Sequence, residues 1–213
     1  MRFPNALEGV KKIYKAEIIG LIGVIIGLVA SILTLAGASA GEGGLGLAAV
    51  GGILLIAMAV LLVISFIMNL VGLNKAKPDE ENFKNALTMV IIGIIAGILL
   101  GATKEGTLLN SIGDNLSKVC GLLANYFVCT ALMNLAGQLG DEAMAKKAGT
   151  IRSMLLGVWC AAVVLNVLGD ILQKNATLST IAAVIGLVAA VVEIVAYILY
   201  IGLLKRSRAM LEA

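Results

Sequence analysis

The sequence predicts an all-α, polytopic membrane protein: six transmembrane helices in three tandem hairpins, with both termini on the inner side. Three observations lead there. The chain of 213 residues is 60% hydrophobic and only 14% charged, where a soluble domain carries about 25% charge. Its apolar residues gather into six long uninterrupted runs. Its basic residues fall almost entirely on alternate connections between those runs.

The runs cover 17–37, 46–71, 84–102, 118–138, 151–171 and 180–203. About 20 apolar residues in a helix cross a hydrocarbon core of about 30 Å. Backbone in lipid must satisfy its own N–H and C=O groups, which leaves helices or a closed barrel. Barrel strands would alternate with period two, and these runs are continuously apolar, so helices are expected. The first run is too long for a signal-peptide core. "GASAGEGG" after it reads as a flexible loop rather than a cleavage site, so the run is expected in the mature protein.

Orientation follows from charge. Arg2, Lys11, Lys12 and Lys15 precede the first run, and Lys75, Lys77 and Lys84 lie between the second and third. Lys146, Lys147 and Arg152 lie between the fourth and fifth or at the start of the fifth, and Lys205, Arg206 and Arg208 follow the sixth. That places 13 basic residues on one side, against Lys104, Lys118 and Lys174 on the other. The connections are short, so the positive-inside rule applies: both termini are expected in the cytoplasm of a multi-pass inner or plasma membrane protein. The net charge of +3 is accounted for by basic loop ends beside anionic lipid, and no nucleic-acid partner is expected.

The hairpins are read from an echo. "SFIMNLVG" at 65–72 returns as "TALMNLAG" at 130–137, and Gly72, Gly137 and Gly202 are each 65 residues apart. "FPNALEGVKKI" at 3–13 is echoed by "FKNALTMVIIG" at 83–93, and less closely by "AGTIRSMLLG" at 148–157. A fixed period marks repeated supersecondary units, so one transmembrane domain is expected to hold repeats at about 1–80, 81–145 and 146–213. Ser65, Asn69 and Gly72 share one helix face, as do Thr130, Asn134 and Gly137. Helix-to-helix packing is the expected role of this polar motif; lining a cavity is the alternative.

The third copy loses the motif, with Val195, Leu199 and Gly202 at its positions, and gains Glu193 near the middle of the sixth run. A charged residue there costs about 3 kcal/mol on insertion scales, so Glu193 is expected to face protein or water. Tyr197 and Tyr200 share its stripe, and Trp159, Asn166 and Asp170 share a face of the fifth run. Glu193, Tyr197, Tyr200, Asn166 and Asp170 form the predicted ligand-binding or proton-linked site, since an ionisable group inside a membrane points to function.

Other chemistry is lacking. With no histidine in the chain there is no Ser–His dyad, His-ligated haem or HExxH metal site. Cys120, Cys129 and Cys160 form no C-x-x-C pair, and no glycine-rich phosphate loop precedes a helix. No enzymatic activity, cofactor or metal is expected. Segment 5–17 is expected to lie on the cytoplasmic surface before the first span. Leu108, Leu109, Ile112 and Leu116 are expected to form a short outer-surface helix, and "NKAKPDEEN" a solvated turn. Small residues such as Gly93, Gly97 and Gly101 permit close crossings within one bundle or in a homo-oligomer. Two functions fit: binding or moving a small solute through the bundle, or serving as a non-transporting scaffold for a membrane partner subunit.

Overall fold

The computed structural model describes the backbone of residues 2–39, 44–101, 108–172 and 176–213, and their side chains except at 100–101, 108–115, 159–191 and 193. It holds six helices: α1 (Pro4–Ser39), α2 (Leu45–Ala76), α3 (Glu81–Gly101), α4 (Leu108–Gln138), α5 (Glu142–Leu172) and α6 (Ala176–Glu212). No strand occurs among the described residues. Four stretches are long and apolar enough to cross a membrane: Pro4–Ser39, Leu45–Ala76, Glu81–Leu99 and Leu116–Gln138. Each helix packs on its neighbours in sequence, and α6 closes the circuit by packing on α1 and touching α4.

The helices end where local chemistry stops them. After α4, Gly140 takes a φ of 76°. Its N–H bonds the Gly137 carbonyl at 3.1 Å, and the Asp141 N–H bonds the Ala136 carbonyl at 2.9 Å. These paired bonds satisfy carbonyls a helix terminus would otherwise leave open. Asp141 then starts α5, its Oδ1 accepting from the Met144 N–H at 2.9 Å, which is an N-cap. Pro78 sits in the turn between α2 and α3, where its missing N–H costs nothing.

The helices outrun a bilayer. At 36 residues α1 is about 54 Å long, against about 30 Å of hydrocarbon. The surplus lies at the basic end, and so does the core. Ala6, Leu7, Val10 and Ile13 of α1 bury against Leu73 and Ala76 of α2, Phe83 and Ala86 of α3, and Leu132 and Leu135 of α4. Met144 and Ala148 of α5 join them, with Leu203, Leu204 and Leu211 of α6. Charged contacts lace this end together. Arg2 donates to the Gln138 carbonyl at 2.7 Å, at the end of α4. Lys11 pairs with Glu212 at 2.8 Å, and this bond, with Arg208 adding to it, holds the Glu212 carboxyl below its ordinary value.

Farther along the α1–α2 hairpin the packing changes. The buried positions there are almost all glycine: Gly20, Gly23, Gly27 and Gly37 on α1, and Gly51 on α2. Gly23 faces Leu61 and Leu62, and Gly27 faces Met58. The larger apolar side chains point outward, with Leu28 62% exposed and Ile53 67% exposed. An apolar surface of this kind suits lipid, where helix contact depends on close backbone approach rather than on hiding apolar groups.

Three local expectations are corrected. Segment 5–17 is no separate surface helix; it is the start of α1, with Ala6, Leu7, Val10 and Ile13 buried, because the core extends past the apolar window. The backbone at 108–116 belongs to α4 rather than to a short independent helix. The turn at 77–80 is more than solvated charge. Asp79 accepts from the Ala6 N–H at 2.7 Å and from Asn5 Nδ2 at 2.9 Å, which caps the open first turn of α1 from the connection after α2.

A methyl added at Gly9 would sit 2.5 Å from the Gly72 carbonyl oxygen and 2.6 Å from Ala76 Cβ, while one at Gly52 would meet nothing within 4 Å. Gly9→Ala must therefore push α1 from α2, at a cost of about 1–3 kcal/mol. Thermal unfolding in detergent is expected to show a lower midpoint for Gly9→Ala and an unchanged or slightly higher one for Gly52→Ala. Equal midpoints for Gly9→Ala and wild type would contradict the close crossing.

Candidate functional site

The site lies where the two packing regimes meet. Glu17 follows Ala16, the last core residue of this part of α1, and precedes Gly20, the first glycine of the thin seam. From α2, Ser65 and Asn69 reach across, one turn apart on the face toward α1. The Ser65 hydroxyl donates to the Ala16 carbonyl at 2.7 Å. Asn69 Nδ2 donates to Glu17 Oε1 at 3.0 Å. From α6, the Tyr197 hydroxyl donates to Glu17 Oε2 at 2.7 Å. One carboxylate thus holds two helices against α1, one through each oxygen.

Gly20 makes room for the arrangement: a methyl there would lie 3.0 Å from Ser65 Oγ and 3.9 Å from the Tyr197 hydroxyl. Glu17 is half-buried, and among the described residues it has no ion pair. Both donors are neutral, so an ionised Glu17 keeps an uncompensated negative charge. Its oxygens retain lone pairs for a proton or a cation. Bonds to an ionised carboxylate are roughly twice as strong as neutral ones. Neutralising Glu17 therefore weakens its hold on α2 and α6 together.

Of the residues the sequence singles out, the structure brings Ser65, Asn69 and Tyr197 to this site. Tyr200, nearby on α6, is 1% exposed within the core, and its hydroxyl has no hydrogen-bond partner among the described residues. The side chains of Glu193, Asn166 and Asp170 lie outside the described residues, as do those of Trp159 and Cys160. The second copy of the polar motif is used differently. Thr130 bonds the Tyr126 carbonyl within its own helix. Asn134 Nδ2 donates to Glu80 Oε1 at 3.1 Å, joining α4 to the residue before α3. Gly72 is pressed against Gly9 and Ile13 of α1, whereas a methyl at Gly137 or Gly202 would meet nothing within 4 Å.

Sequence reading misses Glu17, Asp79 and Glu80. Glu17 is the first residue of the first apolar run, where an acid looks like a span boundary. Its partners stand 52 and 180 positions away. The available signal was Asn69 itself: a half-buried amide on an apolar helix needs a partner, and a short list of polar residues at its depth includes Glu17. For metal chemistry, no group of three Cys, Asp or Glu side chains converges among the described residues. Cys120 and Cys129 are buried free thiols.

This is a helical chain with four apolar stretches long enough to cross a membrane, carrying a carboxylate where two of those helices, α1 and α2, meet α6. Compared with protein families, with curated proteins and with solved structures, the chain finds no match.

The geometry separates two polar residues that look alike in sequence. Hydrogen bonds between helices in lipid average about 0.6 kcal/mol, while bonds to charged groups reach about 1.5–3 kcal/mol. Asn69→Leu leaves Glu17 with one donor and is expected to cost about 1 kcal/mol, between those values. Thr130→Val removes a bond inside one helix and is expected to stay within about 0.5 kcal/mol of wild type. Thermal unfolding of the two variants in one detergent checks this, and a reversed order would contradict the assignment.

Proposed function

We propose that this protein is a six-span integral membrane protein with both termini in the cytoplasm, and that it binds or moves a small solute with Glu17 as its proton- or cation-binding group. The observation that carries the reading is the Glu17 carboxylate, which accepts from Asn69 of α2 and Tyr197 of α6 with no cation beside it among the described residues. An ionisable group inside apolar helices is expensive, and such groups mark ion and substrate pathways. The placement of 13 basic residues on one side and 3 on the other supports the orientation.

The mechanism follows from the donors. With Glu17 ionised, both oxygens accept and α2 and α6 are drawn to α1. When a proton binds, one oxygen becomes a hydroxyl and needs an acceptor, which the Tyr197 hydroxyl supplies by turning its own proton away. Both contacts then lose the strength that a charged acceptor gave them. Proton binding thereby loosens the hold of α2 and α6 on α1, the kind of differential contact that shifts a protein between two arrangements.

A scaffold role is the second reading. Ser65 and Asn134 fasten helices together without any need for a solute, which favours it.

Vesicles containing the protein and a trapped pH-sensitive dye decide between them. Under an imposed potential, wild type is expected to pass protons faster than protein-free vesicles, and Glu17→Gln to lose that flux while keeping its helical content and its elution volume. Equal flux in Glu17→Gln and wild type would contradict the proposal. So would wild-type flux no greater than that of empty vesicles, which would leave the scaffold reading in its place.

A further inference from the structure

At the basic end, α1 and α6 part to form a surface cleft of about 390 Å³, lined by Tyr14, Gly202, Lys205, Arg206, Arg208 and Ala209. Three of its six lining residues are cations. Arg208 is already engaged, its Nε 3.5 Å from Glu212, which also binds Lys11. Lys205 and Arg206 are exposed and form no ion pair among the described residues. Glu212 thus offsets Arg208 and Lys11, and Lys205 and Arg206 leave the cleft with a net positive charge among the described residues. Gly202 gives it depth, since even a methyl there would meet nothing within 4 Å.

The surface beside the cleft changes character within two turns. Ile194, Ile198, Gly202 and Lys205 stand at helical spacing on one stripe of α6. Ile194 is 60% exposed and Ile198 56% exposed. From Lys205 back to Ile194 the stripe runs about 16 Å along the helix. A cationic hollow therefore opens onto an exposed apolar track of acyl-chain dimensions. A free anion would need the hollow alone, and an acidic protein segment would gain nothing from Ile194 and Ile198. Only an amphiphile with an anionic head uses both.

We propose that this cleft is a binding site for one anionic phospholipid, its phosphate held by Lys205 and Arg206 with the Tyr14 hydroxyl in reach, and an acyl chain laid along Ile198 and Ile194. Basic pockets between transmembrane helices at the cytoplasmic face have the chemistry to hold such headgroups. The site is separate from Glu17 and does not depend on any solute being moved.

The test uses full-length protein reconstituted in equal parts phosphatidylcholine and phosphatidylglycerol, then extracted into mild detergent for native mass spectrometry. Wild type is expected to retain a phosphatidylglycerol adduct in preference to phosphatidylcholine. Lys205→Gln/Arg206→Gln should reduce that retention on the order of tenfold, given the attraction of each basic residue for an anionic surface. Lys146→Gln/Lys147→Gln, a charge-matched change on α5, should retain the lipid as wild type does. All three proteins must elute alike and show the same helical content. Four results would overturn the proposal: equal retention of the two lipids, undiminished retention by the Lys205/Arg206 variant, equal loss in the Lys146/Lys147 control, or displacement of the lipid by excess inorganic phosphate. The last would reveal a simple anion site, and the third a diffuse surface charge.

Discussion

Lipid tails are as apolar as leucine, so helices in a bilayer gain nothing by hiding apolar side chains from their surroundings. That constraint organises the whole chain. Cohesion has to come from water, from hydrogen bonds or from close backbone contact, and each has its own place here. Where α1, α2 and α6 reach the basic end, large apolar side chains from all six helices interlock, as the hydrophobic effect drives them to do beside water. Along the rest of the α1–α2 hairpin the same side chains turn outward, and glycines hold the seam. Glu17 stands at the change between the two.

The turns at the basic end act as the joints of the bundle. Asp79 caps α1, and Glu80, one residue on, takes the Asn134 amide of α4. Asp141 starts α5 immediately after the glycine that stops α4. These two short acidic turns thus join α1 and α4 to the α2–α3 connection and start α5, and Arg2 ties the amino-terminal tail to the Gln138 carbonyl at the end of α4. Among the described residues, the glycines of the far half of the α1–α2 hairpin contact only each other's helix.

Much of the helix content was legible in the sequence, because a long apolar run leaves the backbone few alternatives. One helix boundary was legible where chemistry is local, at the Pro78 turn of "NKAKPDEEN", whereas the Gly140 stop after α4 was not singled out. The depth of the core was not. Segment 5–17 carries Lys11, Lys12 and Lys15 among its apolar residues, a pattern equally suited to a surface helix. Only the packing of Leu73, Phe83 and Leu204 around it distinguishes the two. The polar motif was legible as a helix face, but its partners were not. Asn69 and Asn134 occupy matching places in the echo, yet one meets a carboxylate on α1 and the other a carboxylate in a turn. Pairing of that kind depends on tertiary contacts far apart along the chain, which periodicity does not encode. For Tyr197 the sequence offers Glu193 on its own helix, and the structure adds Glu17 of α1, an acid that comparison of neighbours along one helix does not reveal.

The central claim is that the packed end of the bundle stands in water and the bare, glycine-seamed end stands in lipid. Spin labels placed singly in a cysteine-free background test it directly in vesicles, by their collisions with dissolved oxygen and with a water-soluble nickel chelate. Labels at Ile25 and Ile53 are expected to be open to oxygen and shielded from the chelate, and labels at Lys77 and Arg206 to show the reverse. A label at Ile25 or Ile53 freely reached by the chelate would contradict the account.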